Sequence, residues 1–236
     1  MAYSCSTFGK NTSAIGLLSA DRLSDNSAWR DEGCIIASRE GRDDWNAIDP
    51  NFVIDDNGQP WLTYGSFWDG IQLLRLDTTL HAAAGARPFT IARRYAKGTK
   101  SLPANPTSAY AGPNAIEAPF IFKHQGWYYL FVSHDYCCRG MKSNYRVVVG
   151  RSRTITGPYL DREGEAMLDG GGTLVIEGDK KQYEAAGHCA VYHLPLPKKQ
   201  KRGDLFFCHG YSIKSEGMPK LVIRTVRWNH GWPELK

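Results

Sequence analysis

The chain has 236 residues, room for one large β domain or two small ones, and its 42% hydrophobic and 22% charged content is that of an ordinary soluble globular protein. No run approaches the ~18 apolar residues of a membrane span, and the first residues show neither the charged nor the apolar region of a signal peptide. The net charge of +5 owes much to Lys198-Lys199-Gln200-Lys201-Arg202, read as a solvated hairpin tip. No helix-turn-helix or zinc-knuckle spacing accompanies that run, so neither nucleic acid nor membrane is expected as a partner.

In chain order, the first predicted element is an aromatic strand, Tyr3 to Gly9, already under way at residue 3. The chain therefore reads as incomplete at its N-terminus. Asn11-Thr12-Ser13 is a glycosylation sequon, informative only in a secreted protein. A second strand, Thr12 to Ala20, follows; Asp21, Asp25, Asp31, Asp43 and Asp44 head no aromatic strand and read as loop acids. Then Asn46-Ala47-Ile48-Asp49-Pro50-Asn51-Phe52 opens an inner strand, Ile48 to Ile54, followed by Trp61 to Phe67 and Gly70 to Asp77. Ala82-Ala83-Ala84 is too short for a helix and is boxed by Gly85 and Pro88.

Asn114-Ala115-Ile116-Glu117-Ala118-Pro119-Phe120 repeats the earlier motif with the acid changed. It heads Ile116 to Lys123, and Trp127 to Ser133 and Tyr145 to Ser152 come next. Between these strands lie the adjacent Cys137 and Cys138, expected to point to opposite faces, with a vicinal disulfide as the rarer arrangement. None of the six cysteines forms a CxxC pair, so a structural zinc site is not expected. A third unit begins at Gly187 to Tyr192, with Gly187-His188 where the others carry an acid, and continues through Asp204 to Ser212 and Lys220 to Trp228.

Ile71, Val147 and Val222, one from each second strand, recur 76 and 75 residues apart (71 to 147, then 147 to 222). Hairpins repeating at this scale predict radially arranged antiparallel sheets, an all-β propeller, as one domain over residues 1–236. A β-sandwich has no reason to repeat the acidic motif. Equivalent ends pointing at a common axis would bring Asp49 and Glu117 together, and two facing carboxylates are the minimum apparatus for cleaving a glycosidic bond. Aromatics make up 12% of the chain, including seven Trp, and serve either packing between sheets or stacking on sugar rings.

Several motifs in order, Asn46 to Pro50, Ile116 to Phe120, Cys5-Ser6-Thr7-Phe8-Gly9 with Asn11 to Gly16, and Asp135-Tyr136-Cys137-Cys138-Arg139-Gly140, resemble the endo-1,5-α-L-arabinanases of glycoside hydrolase family 43. The likeness runs over nearly the whole chain, to Trp228-Asn229-His230-Gly231-Trp232-Pro233. It implies a five-bladed β-propeller, here roughly four blades with the first absent, and hydrolysis of α-1,5-L-arabinofuranosidic bonds of arabinan with inversion, in the service of pectin degradation. By resemblance Glu117 is the general acid and Asp49 the carboxylate that raises its pKa. The general base, in the first blade of the family, has no counterpart here. His209 matches a histidine near a central ion, calcium as a rule, and no organic cofactor is implied. Phe8 and Trp68 are expected to stack on furanose rings, and His188 to orient polar groups near the axis. Asn46 and Asn114 are expected to touch sugar hydroxyls or, more in keeping with their place in turns, to bond across those turns. The resemblance further implies an extracellular monomer. Alternatives are an exo-acting arabinofuranosidase or β-xylosidase, and a carbohydrate-binding propeller without turnover.

Overall fold

The computed structural model describes residues 1–25, 28–194 and 203–236. The basic run at 198–202 lies outside the described residues. Fifteen strands form four antiparallel sheets, with three short 3-10 turns and no α-helix among the described residues. The first sheet contains β1 (Ala2–Ser6), β2 (Ser13–Ser19) and β3 (Arg30–Ser38). The second contains β4 (Asn51–Ile54), β5 (Pro60–Tyr64), β6 (Ile71–Arg75) and β7 (Phe89–Ala92). The third contains β8 (Ile116–His124), β9 (Trp127–His134), β10 (Arg146–Ser152) and β11 (Thr173–Ile176). The fourth contains β12 (Tyr183–Leu194), β13 (Gly203–Ser212), β14 (Met218–Asn229) and β15 (Trp232–Leu235). Within every sheet the strands neighbour one another in chain order, the up-and-down arrangement of propeller blades. The all-β propeller expectation therefore holds.

Local chemistry explains the hairpins. β8 and β9 are joined by Gln125-Gly126, with φ of 47° and 72°; β14 and β15 are joined by His230-Gly231, with φ of 49° and 74°. Two successive positive φ values make the tight turn whose twist matches the strands, and glycine takes the second position without a side-chain penalty. β13 alternates buried and half-buried residues, the period-2 signature of a strand with one face inward. β9 is buried along almost its whole length because sheets cover both its faces.

Three apolar cores lie between consecutive sheets. Ile15, Leu17, Leu62, Tyr64 and Leu74 join the first to the second. Ile71, Leu73, Tyr128, Leu130, Val132 and Val148 join the second to the third. Tyr129, Phe131, Val147, Val149, Phe206 and Val222 join the third to the fourth. Tyr64, Tyr129 and Phe131 are fully buried, so the aromatic strands mainly serve packing. Burying one such side chain contributes about 2 kcal/mol.

The structure places one motif and corrects one local expectation. Asn11, the sequon asparagine, is 0% exposed. Its Nδ2 donates to the backbone oxygens of Asp43 (2.8 Å) and Trp45 (3.1 Å), so the folded chain withholds that amide from glycosylation. Cys137 and Cys138 do not point to opposite faces. They lie beyond the end of β9, Cys138 turns left-handed (φ 61°), and the two sulfurs come together at 2.7 Å.

Candidate active site

Asp49 just before β4, Ala118 near the start of β8 and His188 midway along β12 take φ of 56°, 53° and 52°. Left-handed non-glycine residues cost about 1–3 kcal/mol each and collect at functional sites. The ladder slips after Glu117 in the β8–β9 pair and after Gly187 in the β12–β13 pair. These bulges re-aim side chains at the inner ends of the sheets. The two acids are not in identical backbone positions. Asp49 itself occupies the left-handed bend before Pro50, whereas Glu117 precedes the bend, which falls on Ala118 before Pro119. The matched heptapeptides are thus one residue out of step at the acid.

Glu117 is held by two hydroxyls. Ser66 Oγ donates to its Oε2 (2.8 Å) and Tyr145 OH to its Oε1 (2.7 Å). A backbone bridge pairs Ser66 with Glu117 and so ties the second sheet to the third. Tyr145 is buried, and burial pushes its hydroxyl well above the usual range, keeping it a neutral phenol. Its ring passes over Gly187, where an added Cβ would lie 1.9 Å from Cδ1, so only glycine fits. Ser133 Oγ receives the His188 N–H (2.9 Å), linking the third and fourth sheets at the same level.

Asp49 touches the peptide that leaves Glu117: its Oδ2 accepts the Ala118 N–H at 3.2 Å. Burial pushes the Asp49 carboxyl up to about 7, the negative charge of Glu117 adds to the rise, and His188 opposes it. Near neutrality the Asp49 carboxyl is therefore within reach of a proton. Glu117 accepts two hydroxyl donors and Asp49 one long amide bond, so in this arrangement the proton rests on Asp49. Rotating Ser66 and Tyr145 from donors to acceptors would favour Glu117 as its holder, because each hydroxyl can serve either way.

His209 stacks beside Tyr145 (5.8 Å between centroids, 24° between planes), and its Nε2 meets Tyr211 OH at 3.2 Å. Burial lowers its pKa, with His188 adding to the effect. Among the described residues no three His, Cys, Asp or Glu side chains converge into a metal cage. Oxygen-seeking calcium would find one imidazole here and take its other ligands from water.

Two adjoining cavities divide these residues. One of about 630 Å³ is lined by Asp49, His188 and His209, with β1 residues Ala2 to Ser4 on one side and Pro219 to Leu221 on the other. The second, about 120 Å³, is a cleft lined by Phe8, Asn46, Trp68, Glu117, Tyr136 and Cys137, among others. Phe8 is 79% exposed, free to meet a ligand, while Trp68 packs edge-on against Tyr110 (5.9 Å, 71°). Asn46 lines the cleft but is buried, and its Oδ1 accepts Ser13 Oγ at 2.6 Å. Asn114 lines neither cavity. Its Nδ2 donates to Trp68 O (2.7 Å) and its Oδ1 accepts Arg94 N (2.8 Å), which fixes the backbone under Trp68. Ser66, Ser133 and Tyr145 were not singled out from the sequence. Each lies at a strand end; Ser66 and Ser133 reach to a neighbouring sheet and Tyr145 reaches across its own to Glu117, relations no local pattern carries.

Residues 1–233 match the model for the glycosyl hydrolases family 43. The chain is 40% identical over 231 residues to the extracellular endo-alpha-(1->5)-L-arabinanase 1 of Bacillus subtilis, covering 98% of this chain and 63% of that protein. It thus spans less than two thirds of that relative's length. Among solved structures, an exo-1,5-alpha-L-arabinanase from a bovine ruminal metagenomic library superposes with a TM-score of 0.87 at 46% identity, over 100% of this chain and 73% of that one. A Cellvibrio cellulosa alpha-L-arabinanase complexed with arabinohexaose gives 0.86 at 38% identity, over 100% and 72%.

Proposed function

The chain belongs to the glycosyl hydrolases family 43, and from that premise we propose that it acts on α-1,5-linked arabinan, with Glu117 as general acid and Asp49 as the carboxylate that keeps a proton on the pair. The observation that carries this reading is the junction of the two acids: Asp49 bonds the peptide leaving Glu117 and is pushed up to about 7 beside it. A group that protonates a leaving oxygen must hold its proton at working pH, and a neighbouring negative charge in a desolvated place supplies that. The exposed ring of Phe8 and the indole of Trp68 give the cleft the aromatic faces on which a furanose ring stacks. The relatives carry endo- and exo-acting names alike; the reading here is endo, with inversion. The proposal includes secretion, action as a monomer, and a calcium ion at the axis held by His209 and water; no chemical step runs through that ion.

No Asp or Glu other than these two lines either cavity among the described residues. Inversion needs a base ~6.5–9.5 Å from the acid to activate water, and in this proposal the base is not among the lining residues. That observation favours a second reading, a carbohydrate-binding propeller without turnover. Reducing-sugar release from debranched linear arabinan by the 236-residue protein, set beside binding of arabinohexaose by calorimetry, separates the two. Release that disappears in Glu117→Gln supports the hydrolase. Binding without release supports the binder, and neither release nor binding removes both readings.

A further inference from the structure

Beside Glu117 the cleft wall carries Cys137, and with its exposed neighbour Cys138 it makes a pair of thiols that the proposed chemistry leaves unused. Neighbouring Cα atoms stand ~3.8 Å apart, below the 4.4–6.8 Å that ordinary disulfides span. Adjacent cysteines therefore meet only where the backbone is bent to bring them together. Here it is: Cys138 has φ 61°, and the sulfurs lie 2.7 Å apart. The bend is fixed from the fourth sheet, because the Cys138 N–H donates to Tyr211 OH at 2.7 Å. Cys138 is exposed and Cys137 half-buried, so a small reagent reaches the pair.

We infer that Cys137 and Cys138 form a thiol–disulfide couple at the wall of the cleft, and that its closure changes the surroundings of Glu117, which lines the same cleft as Cys137. The inference rests on the proposed function only for what the cleft binds. The Cys138 thiol is pushed down to about 6, chiefly by the hydrogen bond from Cys137, with Tyr211 adding to it. The Cys137 thiol is pushed the other way, chiefly by the same bond, then by burial. Cys138 is thus the thiolate near neutral pH and Cys137 keeps the hydrogen, directed at Cys138.

The oxidant is a low-molecular-weight disulfide of the glutathione class. The Cys138 thiolate attacks one of its sulfurs, forms a mixed disulfide and expels one small thiolate. Cys137, giving its proton to that thiolate, then attacks the Cys138 sulfur and expels the second. Two protein thiols are oxidised and one small disulfide is reduced to two thiols. The Cys137 thiol hydrogen is gone from beside the acid, while Ser66 and Tyr145 remain its donors.

The test needs no turnover, so it stands apart from the arabinan assay. The whole chain is incubated with oxidised glutathione, alkylated and digested, and the peptide spanning 137–138 is weighed. Loss of two hydrogens with no alkylation at either residue is expected, reversed by dithiothreitol. Cys137→Ser and Cys138→Ser should each give a glutathione adduct instead. With labelled glutamate, the Glu117 side-chain carboxyl carbon resonance should move on closure at constant pH. Both thiols still alkylatable after oxidation would overturn the couple. A closed couple with an unmoved Glu117 resonance would overturn its reach to the acid.

Discussion

At the scale of single residues, the pair Asp49 and Glu117 makes opposite demands on stability and chemistry. Asp49 rises from an ordinary 3.8 to about 7 on folding. A raised carboxyl contributes stability that is fully present below its unfolded value and is lost as pH rises through the folded one. Asp49→Asn, which cannot ionise, is therefore expected to be more stable than the parent at pH 8 by up to about 4 kcal/mol, since the rise spans about three pKa units and each is worth about 1.4 kcal/mol, and no more stable at pH 4. Thermal melts at the two pH values check this; equal melts at pH 8 would mean that Asp49 is well solvated. If turnover is observed, the same substitution should move the alkaline limb of the rate profile to lower pH, because the charge that retains the acid's proton is gone. Glu117→Gln should lower cleavage of linear arabinan by about 10²–10⁴-fold while arabinohexaose binding persists. On an aryl arabinofuranoside, whose leaving group needs no proton, the loss should be far smaller. If Asp49→Asn rather than Glu117→Gln shows that substrate dependence, the delivered proton belongs to Asp49, where the hydroxyl pattern around Glu117 already puts it in the unliganded protein.

At the scale of elements, the inner and middle strands of each sheet were legible and the outer ones were not. Trp127 to Ser133, Tyr145 to Ser152, Asp204 to Ser212 and Lys220 to Trp228 lie within a few residues of β9, β10, β13 and β14, because burial against neighbouring sheets imposes an apolar pattern. The outer strand β3 runs from Arg30 through five exposed residues before Ile35, and β11 has the exposed Leu174 inside it. Such strands are specified by pairing with a neighbour, and nothing in their own alternation announces them. For the site, the repeated heptapeptide located both acids but hid their one-residue offset, because the bend follows the proline and not the acid. Gly187 looked like a substitute for an acid. In the structure it is the clearance for Tyr145, and Gly187→Ala tests that: the new Cβ meets the ring, and overpacking of this kind costs about 1–3 kcal/mol. A lower melting temperature together with a changed Tyr145 ring environment in aromatic NMR spectra is expected. An unchanged spectrum would remove Gly187 from the account of how Glu117 is positioned.

At the scale of the whole molecule, three imidazoles set the response to acid. Burial lowers the pKa of His134, with Arg94 and Arg146 adding to it. Burial likewise lowers His209 and His124. A depressed histidine favours the fold above its unfolded value of about 6.5 and withdraws that support as pH falls through its folded value. Melting temperature should thus decline below pH 6.5, and more steeply in Asp49→Asn, where the opposing gain from Asp49 is absent. A flat profile in both proteins would mean that these rings protonate freely in the folded state. The three cores in a row have a further consequence. The second and third sheets are each clamped between two cores and the first and fourth are each held by one, so local opening is graded along the chain of sheets. In deuterated buffer the amides of β5 and β9 should be the last to exchange and those of β1 the first. The cleft, which draws Phe8 from the loop after β1 and Glu117 from β8, would then join the most rapidly breathing part of the molecule to one of its slowest.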